Sequence, residues 1–236
     1  MKIYLVRHAE SLGNADGNLA SVTDFPLTEK GELQARNLGK SLKGELEGKH
    51  ITAYSSPLLR AVQTTKEIFC SAGIENVPIM EVECLKEMDL GKLEGIPFQL
   101  LPKEYPEVDL ASKLSELHAP EGECYQDVKN RCEFFLRNFV DKARDDENII
   151  VVSHGITLRV MINLILKRPD KDVDYLNWIE NTAQTVFEYD ILKKKYQLLC
   201  LNDFSHLGEL KTKNFDSWGI FAGNTYLETL RGSVEV

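Results

Sequence analysis

Short apolar segments alternate along the chain with longer segments whose apolar positions repeat at helical spacing. The short segments are rich in Val, Ile and Tyr and predict buried parallel strands at residues 2–6, 51–55, 77–82 and 148–153. Helical patterns occupy residues 58–72, 123–144 and 156–167. Strands interleaved with helices predict an α/β fold with a mostly parallel sheet that is covered on both faces.

A further helix is predicted after Thr28, which is a favourable N-cap residue. Its apolar face is predicted to consist of Leu33, Leu38, Leu42 and Leu46. Pro169 is predicted to stop the helix at 156–167.

Two regions depart from this alternation. Four prolines within residues 96–122 predict an irregular excursion over the sheet edge, and residues 183–200 predict a hairpin that closes the sheet. We therefore expect a single domain over residues 1–236, with a lid-like insertion at about 92–122 and an extra C-terminal tail at about 202–236. The tail is aromatic and Gly-rich, and we expect it to pack on the domain or on a second copy in a homo-oligomer.

The formal net charge of −9 argues against partners that are nucleic acids or anionic membranes, since both require an excess of Lys and Arg. The five cysteines show no CxxC spacing, which favours reduced thiols. No signal-peptide pattern is visible, and no apolar run approaches the ~20 residues of a membrane span. We expect a cytoplasmic protein.

Basic residues and histidines follow three of the predicted strands. The first strand ends at Arg7 and His8, the strand at 148–153 ends at His154, and Arg60 follows the strand at 51–55. A single histidine at a strand end more commonly has a structural role. Three strand ends with matching residue types are less easily explained by chance. Because open α/β sheets bind ligands at the carboxyl ends of their strands, this pattern predicts a site for phosphoryl chemistry.

The chemistry of each residue type suggests a role. The guanidinium groups of Arg7 and Arg60 can bind phosphoryl oxygens, and neutral imidazole is a competent nucleophile, for which His8 fits best. His154 would lie opposite as a second cation or hydrogen-bond donor. Hydrolysis also needs an acid that protonates the leaving oxygen. The segment after the third strand contains two carboxylates, of which Glu87 is preferred over Asp89. The spacing alone also fits a solvated acidic loop.

Five ordered motifs resemble those of the histidine phosphatase superfamily, which has the phosphoglycerate mutase-like fold. They are RHAE at 7–10 with Asn14, DFPLTEKG at 24–31, SSPLLRAVQT at 55–64, LKE at 85–87 with GKLEG at 91–95, and VSHG at 152–155. Together they cover about residues 2–200. The resemblance implies a three-layer sandwich, with a mostly parallel central sheet flanked by helices.

The resemblance also implies roles for individual residues. His8 would be the phosphorylated nucleophile, and Glu87 would protonate the leaving oxygen and then activate water. The transferred phosphoryl group would be bound by Arg7, Asn14, Arg60 and His154. No metal and no cofactor is implied, because the arginines and His154 neutralise the charge.

Four residues depart from the family pattern, namely Ala9, Gly13, Asn18 and Leu93. Ala9 replaces a usual Gly, which is tolerated only if its φ is negative. Gly13 and Asn18 lie in the first loop, which borders the substrate, and Leu93 replaces the Trp of the family's GxWEG segment. The departures therefore affect specificity rather than the phosphoryl-transfer residues.

The expected activity is metal-independent hydrolysis of a small phosphorylated metabolite. The alternatives are a cofactor-dependent phosphoglycerate-type mutase and a non-catalytic phospho-ligand binder. Residues 88–123 contain three lysines, no arginine and eight acidic residues, which suits a second phosphate poorly and favours a phosphatase. Phe98, Leu100 and Leu101 in this segment suggest a neutral or apolar leaving group.

Overall fold

A single mixed sheet forms the centre of the protein. The computed structural model describes residues 1–110, 113–144, 146–176 and 178–211. Within them the strands are β1 (Lys2–Arg7), β2 (His50–Ser55), β3 (Ile79–Glu81), β4 (Glu147–Ser153), β5 (Gln184–Asp190) and β6 (Lys195–Asp203). The sheet order is β3-β2-β4-β1-β5-β6, in which β3, β2, β4 and β1 are parallel and β5 and β6 antiparallel.

Helices cover both faces of this sheet. The α-helices in the described residues are α1 (Leu12–Ala15), α2 (Glu29–Leu46), α3 (Leu59–Ala72), α4 (Leu101–Glu104), α5 (Tyr125–Phe135) and α6 (Gly155–Ile165). Alternate residues of β1 enter different cores: Tyr4 and Val6 pack with α2 and α3, whereas Ile3 and Leu5 pack with α5 and α6. This arrangement confirms the predicted three-layer α/β fold.

Helix α2 follows the predicted pattern except at its first leucine. The Thr28 side chain accepts a hydrogen bond from the Gly31 N–H at 3.0 Å, as an N-cap should. Leu38, Leu42 and Leu46 are buried, but Leu33 is 46% exposed, so its predicted place on the apolar face is wrong. Five residues separate Leu33 from Leu38, which turns it about 140° away from the buried stripe.

Three predicted element boundaries also differ from the structure. The predicted strand 77–82 is only three residues long, because Pro78 has no N–H to pair and the strand begins after it. The predicted helix 123–144 ends earlier: α5 passes into one π turn at Leu136–Val140, and the chain then turns into β4. In the predicted hairpin 183–200, the second strand continues to Asp203.

The segment predicted as a lid is anchored in the core. Leu93, Leu101, Leu110 and Leu114 are buried in the same apolar cluster as α5 and α6. Of the predicted tail, residues up to 211 are described, and the Leu210 carbonyl accepts a hydrogen bond from Gln34 of α2 at 2.8 Å. The aromatic part of the tail from residue 212 lies outside the described residues.

All five cysteines are free thiols, as the sequence predicts. In the described part of the chain, no helix has both the length and the apolar character needed to cross a bilayer.

Two glycines of α2 provide a matched test of the contact between α2 and α3. A Cβ on Gly39 would overlap the backbone oxygen of Ile68, whereas a Cβ on Gly44 would meet nothing within 4 Å. We expect Gly39→Ala to lower the free energy of unfolding by about 1–3 kcal/mol through overpacking. Gly44→Ala should raise it by about 1 kcal/mol through helix propensity. Urea denaturation of both variants measures this, and equal effects would contradict the close contact.

Candidate active site

The predicted site residues converge at the carboxyl ends of β1, β2 and β4. Because Arg7 of β1 pairs with Ser153 of β4, His8 and His154 follow at equivalent positions on neighbouring strands. Their ring centroids are 5.0 Å apart. The structure therefore brings together the two histidines that lie 146 positions apart in the sequence.

The His8 ring is fixed in one tautomer by its backbone neighbour. His8 Nδ1 lies 2.7 Å from the Ala9 carbonyl oxygen, which can only accept, so Nδ1 carries the hydrogen. The lone pair is then on Nε2, to which Arg60 Nε donates at 3.3 Å. Ala9 is fully buried and does not have a positive φ, which meets the condition set by its replacement of Gly.

Arg60 is held by backbone carbonyls of the loop at residues 21–23. Its Nη1 donates to Thr23 O at 2.9 Å and its Nη2 to Ser21 O at 2.6 Å. That loop is in turn bound by Glu94, whose carboxylate accepts from Ser21 N–H at 2.8 Å, from Thr23 N–H at 3.1 Å and from the Ser21 hydroxyl. Although burial raises the pKa of Glu94, these hydrogen bonds bring it below its ordinary value.

Sequence reasoning included Glu94 in a motif but gave it no role. Its place in the motif GKLEG was the one sequence feature that could have pointed to a role. Its partners Ser21 and Thr23 are more than 70 positions away, and only the folded chain shows that they connect Glu94 to Arg60.

His154 is positioned by Ser56. The Ser56 hydroxyl lies 2.7 Å from His154 Nε2, and its oxygen also accepts from the Leu58 N–H. The Ser56 hydroxyl can donate its hydrogen to His154 Nε2, and in that tautomer Nδ1–H is the donor of the neutral ring. His154 Nδ1 is buried and has no hydrogen-bond partner, so it is a candidate donor to a bound anion.

Glu87 lies at the N-terminus of α6. Its Oε1 accepts from the N–H groups of Met88 at 2.9 Å and Thr157 at 3.1 Å, and from the Thr157 hydroxyl at 3.2 Å. Its Oε2 accepts from the Ile156 N–H at 3.1 Å and keeps more of its capacity for a further partner. Asp89, the second candidate acid, instead accepts from the Gly91 N–H at 2.9 Å within its own turn.

Arg131 of α5 holds the chain segment that carries Glu87. Its guanidinium donates to Cys84 O at 2.9 Å, to Lys86 O at 2.7 Å and to Glu123 at 3.0 Å. The position of Glu87 therefore depends on a contact between α5 and the loop after β3, which sequence reasoning missed because Arg131 lies in no recognisable motif.

The segment before β5 supports the His8 loop from the other side. Asn181 Nδ2 donates to His8 O at 2.9 Å and to Asn14 Oδ1 at 3.3 Å, and the Thr182 N–H donates to Arg7 O at 3.1 Å. Thr182 has a φ of 55°, which is unfavourable for a β-branched residue. The sequence gave no signal for these contacts beyond the start of the predicted hairpin.

A cleft that is partly open to solvent lies over these groups. It is lined by four predicted site residues, namely Arg7, His8, Asn14 and Glu87. Arg60 and His154 are almost fully buried and do not line it. A Cβ on Gly155 would lie 3.7 Å from Arg7 Nε and 3.8 Å from Glu87 Oε2, so these two groups flank the same small volume.

The electrostatics of the site combine two buried cations with two neutral rings. Burial, followed by the charges of Arg60 and Arg7, lowers the pKa of His8 well below its ordinary value. Burial and the charge of Arg60 do the same to the pKa of His154. Burial lowers the pKa of Arg7 to about 10, which still leaves Arg7 charged at neutral pH. Burial also lowers the pKa of Arg60.

Metal ligands are not grouped in this region. No cluster of three or more His, Cys, Asp or Glu side chains that could hold a metal ion occurs among the residues that the structure describes.

The neutral state of the two buried histidines can be tested by titration. Below the ordinary pKa of 6.5 the unfolded chain takes up protons that folded His8 and His154 do not. The free energy of unfolding should therefore fall as the pH falls from 7 to 5, by up to about 1.4 kcal/mol per pH unit for each histidine. Imidazole ¹⁵N shifts should show no protonation of either ring between pH 8 and 6. A ring that titrates near 6.5 would contradict the assignment.

Known proteins with similar sequences include both phosphatases and mutases. Phosphoserine phosphatase 1 of Hydrogenobacter thermophilus is 32% identical over 213 residues, which cover 89% of this chain and 95% of that protein. A 2,3-bisphosphoglycerate-dependent phosphoglycerate mutase of Gloeobacter violaceus is 29% identical, over 79% of this chain and 85% of the mutase.

Solved structures show the same fold. Bacillus stearothermophilus YhfR has a TM-score of 0.76 and 29% identity, with 87% of this chain and 98% of that chain covered. The alpha-ribazole phosphatase from Shigella flexneri has a TM-score of 0.71 and 25% identity, with 86% and 97% covered. The sequence-family model that describes the histidine phosphatase superfamily (branch 1) matches residues 3–203, which confirms the predicted family. The chain belongs to the histidine phosphatase superfamily.

Proposed function

We propose that this protein is a metal-independent phosphomonoester hydrolase that acts on a small phosphorylated metabolite through a phosphohistidine at His8. The observation that carries the proposal is the state of His8: a neutral ring whose Nδ1–H is bound to Ala9 O and whose Nε2 lone pair lies beside Arg60. Neutral imidazole next to a fixed cation suits nucleophilic attack on a phosphoryl group.

In the first step, the Arg60 Nε–H leaves His8 Nε2 and donates to a phosphoryl oxygen instead. The freed Nε2 lone pair attacks phosphorus and the ester P–O bond breaks. Arg7, Arg60 and the Nδ1–H of His154 stabilise the charge on the phosphoryl oxygens, and the Asn14 amide adds a donor. Glu87 enters this step as the carboxylic acid and gives its proton to the leaving oxygen. The Ala9 carbonyl keeps the His8 Nδ1 proton in place as the N–P bond forms.

In the second step, water attacks the phosphohistidine. The Glu87 carboxylate takes a proton from the water, the N–P bond breaks, and its electron pair returns to His8 Nε2. Inorganic phosphate then leaves, with Glu87 protonated again for the next turnover. The Oε2 atom of Glu87 suits both proton transfers, because it faces the volume beside Gly155 and holds a single hydrogen bond from the protein.

The charge of the cleft favours hydrolysis over the mutase alternative. A mutase must hold a second phosphate of its substrate, and Arg7 is the one cationic side chain among the described residues that line the cleft. The same charge pattern extends along residues 88–123, with three lysines and eight acidic residues. The resemblance to a phosphoserine phosphatase also supports a hydrolase.

Hydrolysis of para-nitrophenyl phosphate in the presence of EDTA tests the proposal. We expect wild type to release phosphate, and His8→Ala to lose this activity by a factor of about 10³ or more, because the nucleophile is gone. His50→Ala is the matched control, since His50 is exposed and begins β2 at the end of the strand opposite the site. Release that requires a metal, or that survives in His8→Ala, would refute the mechanism. If folded wild type were inactive, a mutase assay primed with bisphosphoglycerate would test the alternative.

Glu94→Gln tests the link from Glu94 through the 21–23 loop to Arg60. An amide cannot accept from all the N–H groups that Glu94 binds, so the loop should shift and Arg60 with it. We expect kcat/KM to fall by about ten- to a hundredfold. Because Arg60 is assigned to the phosphoryl group, the loss should be equal for substrates with different leaving groups. Glu121→Gln is the control, because Glu121 is exposed and forms an ion pair with Lys92. A loss confined to one leaving group would contradict this link.

A further inference from the structure

The wall of the cleft beyond the catalytic groups is mainly apolar. Among the described residues it is lined by Leu19, Leu90, Phe98, Leu110, Ile156 and Trp178. The charged side chains that line the cleft are Arg7 and Glu87, and both already have roles at the phosphoryl end. The described lining therefore offers no second cation for a carboxylate or phosphate on the leaving group.

Trp178 lies close to two groups that are proposed to act on the phosphate ester, Arg7 and Glu87. A Cβ on Gly155 would be 3.7 Å from Trp178 Cζ2, 3.7 Å from Arg7 Nε and 3.8 Å from Glu87 Oε2. The three groups thus surround one small volume. A leaving oxygen held between the arginine and the carboxylate places its attached group within reach of the indole ring.

The indole is held in place before any substrate binds. The guanidinium carbons of Arg7 and Arg159 lie 5.8 and 6.0 Å from its ring centroid, within the range of cation–π attraction. Arg159 is buried and donates to Leu110 O and Val173 O, both at 3.1 Å. Asn202 donates to the Trp178 carbonyl at 3.3 Å. Little ordering of this ring is then needed when a leaving group packs against its edge.

Phe98 provides a second aromatic side chain in the same cleft. Its N–H donates to Gly17 O at 3.0 Å, and Pro97 forms a bridge with Asn18, so the Phe98 turn is tied to the first loop. Apart from Asn14, which is assigned to the phosphoryl group, the neutral side-chain amides in the described lining are those of Asn18 and Asn181. Such amides match hydroxyl groups or ring heteroatoms rather than a second anion.

We propose that the cleft selects phosphomonoesters of uncharged aromatic alcohols, in which a planar ring within about one carbon of the ester oxygen packs against the Cζ2 edge of Trp178. This inference rests on the proposed hydrolase function and specifies its substrate class. It differs from a phosphoglycerate or phosphoserine specificity, in which the leaving group carries a carboxylate.

The test compares benzyl phosphate with methyl phosphate, phosphoserine and 3-phosphoglycerate. We expect wild type to hydrolyse benzyl phosphate with a kcat/KM at least about tenfold above that of either carboxylate-bearing ester. Trp178→Leu should lower kcat/KM for benzyl phosphate about tenfold more than for methyl phosphate, mainly through KM, and Trp178→Phe should restore part of it. The control Tyr175→Leu removes a nearby aromatic ring that is 63% exposed, and should leave the ratio unchanged.

A binding measurement separates this inference from the hydrolase proposal. Calorimetry on wild type should show tighter binding of benzylphosphonate than of 3-phosphonopropionate, which carries a carboxylate and cannot be hydrolysed. Hydrolysis with a preference for phosphoserine or 3-phosphoglycerate would overturn the substrate class and leave the hydrolase proposal standing. Absence of all hydrolysis, with benzylphosphonate still preferred, would overturn the hydrolase and support the aromatic cleft. Preference for 3-phosphonopropionate would overturn the aromatic cleft in either case.

Discussion

The burial of Arg60 against the His8 ring is the interaction on which the rest of the site depends. A buried guanidinium must have acceptors, and Arg60 finds them in the carbonyls of Ser21 and Thr23 and in His8 Nε2. Among the described residues no carboxylate forms an ion pair with it. Carbonyl dipoles hold the group without cancelling its charge, so the positive charge stays available for an anion.

Burial and the same charge keep the histidines neutral. Burial, followed by the charge of Arg60, lowers the pKa values of His8 and His154, because protonation of His8 would bury a third cation next to Arg7 and Arg60. The hydrogen bond to Ala9 then decides which nitrogen of His8 has the lone pair. The proposed nucleophile and the proposed phosphate site are thus two consequences of one arrangement, in which the buried cations offer a binding site for an anion and disfavour protonation of the ring beside them.

The parts of the site that the sequence predicts are those fixed by strand ends. Arg7, His8 and His154 directly follow or end parallel strands, so the α/β pattern alone brings them to one edge of the sheet. Residue chemistry prefers Glu87 but leaves Asp89 open, because both carboxylates lie in the same irregular loop, and the resemblance to the superfamily decides between them. Leu33 illustrates a different limit: leucine spacing indicated a helix, but only the angular position of each residue decides which side is buried.

The supporting contacts could not be predicted, because they join distant segments through backbone atoms. Glu94 acts on Ser21 and Thr23, and Arg131 acts on the carbonyls of Cys84 and Lys86. Any residue can supply a carbonyl or N–H, so such partners leave no trace in residue types. The positive φ of Thr182 beside the His8 loop could not be predicted either, because threonine is not a residue type that favours this conformation.

The most direct measurement of this account is to trap the phosphoenzyme and identify the phosphorylated atom. Wild type would be mixed with para-nitrophenyl phosphate, quenched in alkali to preserve phosphohistidine, and analysed by peptide mapping and by ³¹P–¹⁵N correlation on histidine-labelled protein. The account predicts one phosphoryl group, bound to Nε2 of His8. Phosphorylation at Nδ1 of His8 or at another residue would contradict it. Rapid hydrolysis without any phosphoenzyme would contradict it as well.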